Sequence, residues 1–360
     1  MQDKAKNKII TIGFSVILLV LFLLNLLSED KSISISERRK LAQFPKINIS
    51  RIFNGMAIND WEKYVEDQFV GRDVFRKIKS FWSINIFAQK DDNKLFEKDN
   101  AIYKMDYPLS ENNIKKSAQK IKAVYEKYLE NMNVYYSIIP EKNYYLENDN
   151  HLKLDYNKIQ EIMQLELSEL QYIDIRSGLK LEDYYRTDLH WKQENLQDVV
   201  KIIQNKMNLD SIDTNYEIQN KGVFYGTYYG QLATDIKPDE MYVLTNETIE
   251  KCKTYNFETK KEAVIYEKTN SNDKYDIFVS GATPLISIEN PNSKTDKELI
   301  IFRDSFGSSI APLMVGNYSK ITLIDLRYIS STILKEYVEF NNQDVLFLYS
   351  TVVLNQNILK

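Results

Sequence analysis

The apolar positions of this chain form one long run near the N-terminus and then a series of short periodic segments. The long run extends from Ile9 to Leu27 without a charged residue. In a helix, which rises about 1.5 Å per residue, this run is roughly 28 Å long. That length matches the hydrocarbon core of a bilayer, so the run predicts a transmembrane helix.

Charges on either side of the run predict its orientation. Lys4, Lys6 and Lys8 precede it, and Glu29 and Asp30 follow it. Because cytoplasmic flanks are enriched in lysine and arginine, we expect the N-terminus in the cytoplasm and the remaining chain outside the cell. A cleaved signal peptide is the alternative. The residues after the run offer no A-x-A-like cleavage site, which favours an uncleaved signal anchor over residues 1–30.

Residues 31–100 are expected to form a linker followed by N-terminal helices. The stretch from Lys31 to Pro45 predicts an extended connection to the membrane. From Ile58 to Phe87 apolar side chains recur at helical spacing, which predicts one or two amphipathic helices with a break near 67–73. The positions of this face are Trp61, Tyr64, Val65, Phe69, Val74, Ile78, Phe81 and Trp82. We expect this aromatic-rich face to pack into a protein core.

Residues 101–360 alternate between buried-strand runs and amphipathic helices. The predicted strands are 133–139, 171–175, 298–302, 321–326 and 345–349, and the predicted helices are 114–129, 158–170, 193–207, a segment after Ser305, and 331–340. Between about 210 and 293, segments rich in Tyr, Gly and Thr predict a β-rich insertion with short strands at 241–244 and 275–279. The alternation indicates an α/β fold with a mostly parallel sheet, covered by helices on both faces.

Composition narrows the functional classes. The chain of 360 residues is 43% hydrophobic and 27% charged, enough for one large core with appendages. A net charge of -4 and a pI near 5.6 give no sign of the basic surface that binds nucleic acid. The chain has ten glycines and no Gly-rich phosphate loop, which argues against a nucleotide cofactor. With one cysteine, Cys252, and two histidines we expect no intramolecular disulfide, no metal centre and no cofactor.

A serine at a strand-to-helix junction is the first candidate for chemistry. The strand Ile300–Arg303 is followed by Asp304, Ser305 and a predicted helix. A seryl hydroxyl at such a junction is placed as a nucleophile, provided that a base removes its proton. The alternative is a helix N-cap, because aspartate and serine oxygens accept the free amides of a first helical turn.

The candidate base is His190, with Asp188 two residues before it. The other histidine, His151, lies in a polar loop, so His190 is the better partner for Ser305. Active residues gather at the carboxyl ends of parallel strands, where both side chains can meet. The amides of Ser305 and its helical neighbours would then bind a developing oxyanion. A hydrogen-bonded structural histidine, or a metal shared by Asp188 and His190, is the alternative.

These segments resemble a known family. Thr187-Asp188-Leu189-His190-Trp191, Arg303-Asp304-Ser305-Phe306 and Ile324 to Tyr328 resemble the DHHW family, and so do Glu37 to Pro45 and Asp67 to Asp73. That family is similar to the AlgX and AlgJ proteins of alginate acetylation, which have an SGNH-hydrolase-like fold. The resemblance implies an acyl-enzyme on Ser305, with His190 as base and Asp188 as its partner. It also implies O-acetylation of a surface polysaccharide with acetyl groups from a membrane-bound O-acyltransferase.

Two positions depart from the family pattern. Leu189 stands at the second position of the name-giving motif, and Ala282 stands where relatives carry the asparagine of a Gly-Asn pair. If that asparagine is an oxyanion donor, its loss typically costs about 100- to 1000-fold in turnover unless Thr283 or a backbone amide replaces it.

Three functions remain open at this point: a membrane-anchored O-acetyltransferase, an acetylesterase with the same three residues, and a polysaccharide-binding scaffold without catalysis. The aromatic segment Tyr225 to Tyr229 would suit sugar stacking in any of them, although core packing is the simpler interpretation.

Overall fold

A computed structural model describes residues 2–34, 36–37, 39–46, 53–87, 89, 91, 94–147, 150–210, 215–267 and 273–360. The chain divides into two compact units. The first, called here the N-terminal unit, comprises Met1–Asp92 and Tyr229–Asp235; the second, the sheet unit, comprises Asn93–Tyr228 and Ile236–Lys360.

The N-terminal unit contains three α-helices among its described residues. Helix α1 (Gln2–Leu27) is followed by two short paired strands, β1 (Ile33–Ser34) and β2 (Arg39–Lys40). Helix α2 (Met56–Gln68) and helix α3 (Arg72–Phe81) come next, and a π-helical turn, Trp82–Ile86, extends α3. The part of α1 from Lys4 to Leu27 is long and apolar enough to cross a membrane by length and composition. The predicted pair of helices with a break near 67–73 is confirmed.

The prediction that the aromatic-rich face of α2 and α3 packs into a core is wrong. Most side chains of this face are exposed, among them Trp61, Val65, Val74, Ile78, Phe81 and Trp82. Spacing alone identified the face but could not tell which environment it meets.

The sheet unit is built on one large, mostly parallel sheet, which confirms the predicted α/β fold. In the described part of the chain it has eight strands: β5 (Asn133–Ile139), β6 (Gln171–Tyr172), β9 (Lys253–Asn256), β10 (Lys261–Val264), β11 (Leu285–Glu289), β12 (Glu298–Arg303), β13 (Lys320–Ile324) and β14 (Asp344–Ser350). Their order is β10-β9-β11-β13-β12-β14-β5-β6. The run from β13 to β6 is parallel, and β11, β9 and β10 are antiparallel additions at one edge.

Two smaller ladders and several helices complete this unit. Strand β3 (Leu95–Lys98) pairs with β4 (Ala101–Lys104), and β7 (Glu217–Phe224) pairs with β8 (Asp239–Thr245). The helices are α4 (Glu111–Tyr128), α5 (Tyr156–Glu166), α6 (Gln197–Lys206), α8 (Glu247–Lys251), α9 (Ser305–Ile310) and α10 (Thr351–Gln356). A short helix, α7 (Thr227–Leu232), begins in the sheet unit, and its residues from Tyr229 onward belong to the N-terminal unit.

Successive residues of a strand point to opposite faces of the sheet and belong to two hydrophobic cores, one on each face. In β12, Ile301 joins the core that contains α6, whereas Ile300 and Phe302 join the core that contains α4 and α5. Because side chains alternate across a strand, a strand covered on both faces must be apolar at every position. This explains the continuous apolar runs in the sequence.

Two predicted elements differ from the structure. The segment predicted as strand 275–279 contains a 3-10 turn, Lys274–Ile277, because the side chain of Asp273 accepts the amide of Tyr275 and bends the backbone. The helix predicted at 331–340 is a 3-10 turn, Ser331–Glu336, capped by Ser330. Both predictions came from apolar spacing and missed the effect of a local side-chain cap.

Candidate active site

Ser305 is positioned by the end of strand β12 and the start of helix α9. Asp304 is the N-cap of this helix: one carboxylate oxygen accepts the amide of Phe306 at 3.0 Å, and the other accepts the amide of Ser350 at 2.8 Å. Asp304 therefore has the N-cap role that was the alternative interpretation of the Asp-Ser pair. Since Asp304 caps the helix, the hydroxyl of Ser305 is left for another partner.

That partner is His190. Its Nε2 lies 2.7 Å from Oγ of Ser305, and its Nδ1 lies 2.6 Å from Oδ1 of Asp188. The same Asp188 oxygen accepts the backbone amide of His190 at 3.0 Å. Asp188 and the imidazole are buried. The structure thus brings the three sequence-predicted residues into one chain of hydrogen bonds, with the distances that a serine, a base and its orienting carboxylate require.

The second oxygen of Asp188 is held by a glycine turn. The amide of Thr227 donates to Oδ2 of Asp188 at 2.6 Å, and the amide of Gly226 donates to the hydroxyl of Thr187 at 3.0 Å. A Cβ on residue 226 would lie 2.1 Å from the carbonyl oxygen of Thr187 and 2.4 Å from Cβ of Asp188. Only glycine allows this approach, so Gly226 lets the next amide, that of Thr227, reach the carboxylate.

Aromatic rings fix the plane of the imidazole. The ring of Tyr275 stacks on His190 with centroids 3.8 Å apart and an interplanar angle of 11°. The hydroxyl of Tyr275 donates to Oγ of Ser309, as does the indole of Trp191, each at 2.8 Å. The imidazole therefore has one face covered and both nitrogens engaged, which restricts its rotation.

A buried lysine anchors the loop that carries Asp188. Nζ of Lys142 donates to the carbonyls of Tyr185, Arg186 and Asp188 at 2.9, 3.0 and 2.8 Å. Burial lowers the pKa of Lys142 to about 7, and burial raises the pKa of the neighbouring Glu141 to about 8. These two residues follow strand β5 directly, so the carboxyl edge of the sheet supplies both the nucleophile and the support of its partner loop.

Fewer backbone amides are free to bind an oxyanion than the sequence predicted. The amides of Phe306 and Gly307 both donate to Asp304, so the amide of Ser305 is the remaining candidate from this helix terminus. The side chain of Ala282 is exposed and has no donor group. The hydroxyl of Thr283 accepts from the buried guanidinium of Arg303 at 3.4 Å.

The loop before Ala282 is strained. Val279, Ser280 and Gly281 have φ values of 51°, 58° and 71°, a region that a β-branched residue rarely adopts. Nη2 of Arg303 donates to the carbonyl of Gly281 at 3.1 Å and holds this conformation. Such strain typically costs about 1–3 kcal/mol per residue and concentrates at functional sites.

The remaining candidates lie apart from this chemistry. His151 stacks on Phe96 with centroids 3.6 Å apart, which is a packing role. Of the aromatic segment, Tyr228 is buried and its ring faces Nζ of Lys142, whereas Tyr225 is exposed. Within the described residues there is no group of three His, Cys, Asp or Glu side chains that could hold a metal ion.

Sequence reasoning missed Thr227, Tyr275 and Lys142, which support the three central residues. Gly226 before Thr227 was a detectable signal, because a glycine within a β-rich segment marks close backbone approach. Lys142 and Tyr275 had no local signal, since their contacts are made with residues distant in sequence.

Comparisons with known proteins agree with the fold described above. The model of the DHHW protein family matches residues 155–324, a range that contains Asp188, His190 and Ser305. A crystal structure of a DHHW family protein from Eubacterium siraeum has a TM-score of 0.63 at 20% identity, covering 74% of this chain and 95% of that one. Bacillus cereus PatB1, also solved with a sulfonyl adduct, has TM-scores of 0.58 and 0.57 at 17% identity, covering 74% of this chain and 97% of PatB1.

No curated protein sequence matches the chain. At these identities the structural likenesses establish the fold alone. Together with the family match they confirm the resemblance seen in the sequence: over residues 155–324 this chain is similar to the DHHW proteins.

Proposed function

We propose that this protein is a membrane-anchored O-acetyltransferase that modifies a cell-surface polysaccharide through an acyl-serine intermediate. The observation that carries the proposal is the hydrogen-bonded chain from Ser305 through His190 to Asp188. The choice of a transferase over other serine chemistry rests on the resemblance to the DHHW family and its alginate-acetylating relatives.

The chemistry follows from the positions of the three side chains. The hydroxyl oxygen of Ser305 attacks the acetyl carbonyl carbon of the donor while Nε2 of His190 takes its proton. His190 then gives this proton to the departing donor oxygen or sulfur, which leaves an acetyl ester on Ser305. A sugar hydroxyl attacks that ester, passes its proton to His190, and the proton returns to the serine as the product leaves.

Asp188 holds the imidazole in the tautomer that keeps Nε2 free to accept, and it stabilises the imidazolium that forms in each step. The exposed ring of Tyr225, two residues before the amide that binds Asp188, is the candidate in this proposal for stacking on the acceptor sugar.

The anchor sets the cellular location in this proposal. With Lys4, Lys6 and Lys8 in the cytoplasm, helix α1 crosses the cell membrane once and the remaining chain is extracellular. A membrane-bound O-acyltransferase in the same membrane would supply the acetyl group, and the polysaccharide would be the acceptor.

The test is intact-mass analysis of the full chain in detergent after incubation with an activated acetyl ester. A single acetyl adduct is expected, absent in Ser305→Ala and His190→Ala. The matched controls are Ser308→Ala in the same helix and His151→Ala, the other histidine; both should acquire the adduct. A sulfonyl fluoride, which reacts with activated serine hydroxyls, serves as a second probe of Ser305.

Acceptor oligosaccharides then separate the possible outcomes. Acetyl groups that move to sugar hydroxyls support the transferase, and release of free acetate whatever acceptor is present indicates the esterase. A wild-type protein without an adduct from either reagent would contradict both enzymes and favour a scaffold. An adduct that persists in Ser305→Ala would overturn the assignment of the nucleophile.

A further inference from the structure

Helix α3 of the N-terminal unit is amphipathic, but its polar face is the one packed against protein. Arg72, Arg76 and Ser80 lie four residues apart on this face. Arg76 donates to the carbonyls of Gly230 and Gln231 at 2.7 and 2.9 Å, and the hydroxyl of Ser80 donates to the carbonyl of Leu232. Ser80 is only 3% exposed.

The opposite face of α3 is apolar and open. Val74, Ile78 and Phe81 follow at helical spacing with exposed fractions of 59%, 47% and 56%. A helix in a water-soluble protein buries its apolar face and exposes its polar one. Because α3 does the reverse, its apolar stripe is suited to an apolar environment outside the protein.

Helix α2 and the turn after it connect this stripe to the end of α1. The amide of Val70 donates to the side chain of Asn25 at 2.9 Å, and the hydroxyl of Tyr64 donates to Asp30 at 2.9 Å. The amide of Lys31 donates to the side chain of Gln68 at 2.9 Å. Where α1 spans a bilayer, its last turn lies at the boundary between hydrocarbon and headgroups, and these bonds hold the start of α3 at the same level.

The composition of the exposed face matches that boundary. Its aromatic members are Trp61, Phe75, Phe81, Trp82 and Phe87, all at least 48% exposed. Tryptophan and other aromatic side chains are enriched at membrane interfaces, where their rings lie among the lipid headgroups. Amphipathic helices that lie in the interface plane insert such a face to a depth of about 5–10 Å.

We propose that α2, α3 and the turn Trp82–Ile86 lie on the extracellular surface of the cell membrane, with this apolar face inserted among the lipid headgroups and upper acyl chains. The occupant of the face is lipid, because these hydrogen bonds hold the start of α3 next to the last turn of α1, where a helix that spans a bilayer reaches the headgroups. This inference rests on the membrane crossing of α1 in the proposed function and is independent of the chemistry at Ser305.

The chain has three tryptophans, which allow a direct test: Trp61 and Trp82 lie on the face, Trp191 is buried in the sheet unit, and α1 has none. The full chain is reconstituted into nanodiscs of phosphatidylcholine brominated either near the headgroup or near the chain terminus. We expect most of the emission of Trp61 and Trp82 to be quenched by the shallow bromines and less by the deep ones. A Trp61→Phe/Trp82→Phe variant, which retains Trp191, should be nearly unaffected.

A charge on the face provides the second measurement. Ile78→Asp should reduce the shallow quenching of Trp82, whereas Ile78→Leu should preserve it, with unchanged circular dichroism in both. Wild-type emission that is as insensitive to bromine as that of the double variant would overturn the proposal. The proposal would also be overturned if Trp61 and Trp82 became shielded from solvent only when a membrane-bound acyltransferase was added, because protein and not lipid would then cover the face.

Discussion

Helix α4 in the sheet unit and helix α3 in the N-terminal unit are both amphipathic, but they bury opposite faces. Helix α4 buries Ile114, Ile121 and Val124 against the sheet, whereas α3 buries Ser80 and exposes Ile78. The two helices have the same periodicity in the sequence. Periodicity in the sequence therefore shows that a helix has an apolar face. The hydrogen bonds made by the opposite face show whether that apolar face packs into a protein core or is exposed.

The two units also differ in how they use buried polar groups. In the sheet unit, Asp188, His190 and Lys142 are buried at the carboxyl edge, where they form the candidate site. In the N-terminal unit, the buried hydroxyl of Ser80 bonds a backbone carbonyl and fastens two segments together. Polar burial thus serves chemistry in one unit and attachment in the other, and each use can be tested by substitution.

The largest effect is expected for Asp188→Asn. An amide at this position favours the wrong imidazole tautomer, so turnover of an activated acetyl ester should fall by about 10³- to 10⁴-fold. Steady-state kinetics of the full chain measure this, with the exposed Asp198→Asn in α6 as a control. A variant that keeps more than about a tenth of wild-type turnover would show that the buried carboxylate is only structural.

A matched pair of isoleucines tests the two helices directly. Ile121→Ala in α4 should lower the free energy of unfolding by about 2–5 kcal/mol, because it leaves a cavity in a buried core. Ile78→Ala in α3 should cost less than about 1 kcal/mol, because its side chain meets no core. Chemical denaturation in detergent, followed by circular dichroism, compares the two. Equal losses would mean that the apolar face of α3 is packed against protein.

The buried Glu141, in the sheet unit, predicts that the free energy of unfolding depends on pH. Burial raises its pKa from 4.5 to about 8, so the folded state binds more protons than the unfolded chain between these values. The free energy of unfolding should therefore fall as pH rises, by up to about 1.4 kcal/mol per pH unit. Glu141→Gln removes this slope.

The measurement is denaturant unfolding of wild type and Glu141→Gln between about pH 5 and pH 6. This range lies below the pKa of about 7 that burial gives Lys142, so Lys142 is protonated in both folded and unfolded states. The stability of the variant relative to wild type should rise with pH. The exposed Glu247→Gln should leave the wild-type slope unchanged. Parallel slopes for wild type and Glu141→Gln would mean that Glu141 titrates as it does in the unfolded chain.

The most local effect is expected for Ser80→Ala. Loss of its hydroxyl leaves the carbonyl of Leu232 without this donor, at a cost of about 1–3 kcal/mol. Hydrogen exchange should become faster in residues 229–235 and in α3, with little change in the sheet unit. The exposed Ser168→Ala is the control. Unchanged exchange in 229–235 would show that this bond does not fasten the segment.

Much of the sheet and its covering helices follows from the sequence. Strand β5 begins at Asn133 and ends at Ile139 as predicted, since a short, mostly apolar run that is buried from Val134 to Ile139 is typical of a strand covered on both faces. The 3-10 turn Lys274–Ile277 was not predictable from apolar spacing, because a single capping bond from Asp273 decided it.

The sequence by itself determined the three central residues of the candidate site. The chain has only two histidines, each with an aspartate two residues before it, and His151 lies in a polar loop, which leaves Asp188 and His190 to serve a serine at a strand end. It also determined helix α1, which is long and apolar enough to cross a membrane and whose signal is a local run of apolar residues. Only the tertiary structure decided how Tyr275 holds the imidazole, how Thr227 and Lys142 hold Asp188 and its loop, and which face of α3 is open. The physical reason is the same in both cases: these contacts join residues far apart in sequence, and their energies depend on the fold that brings them together.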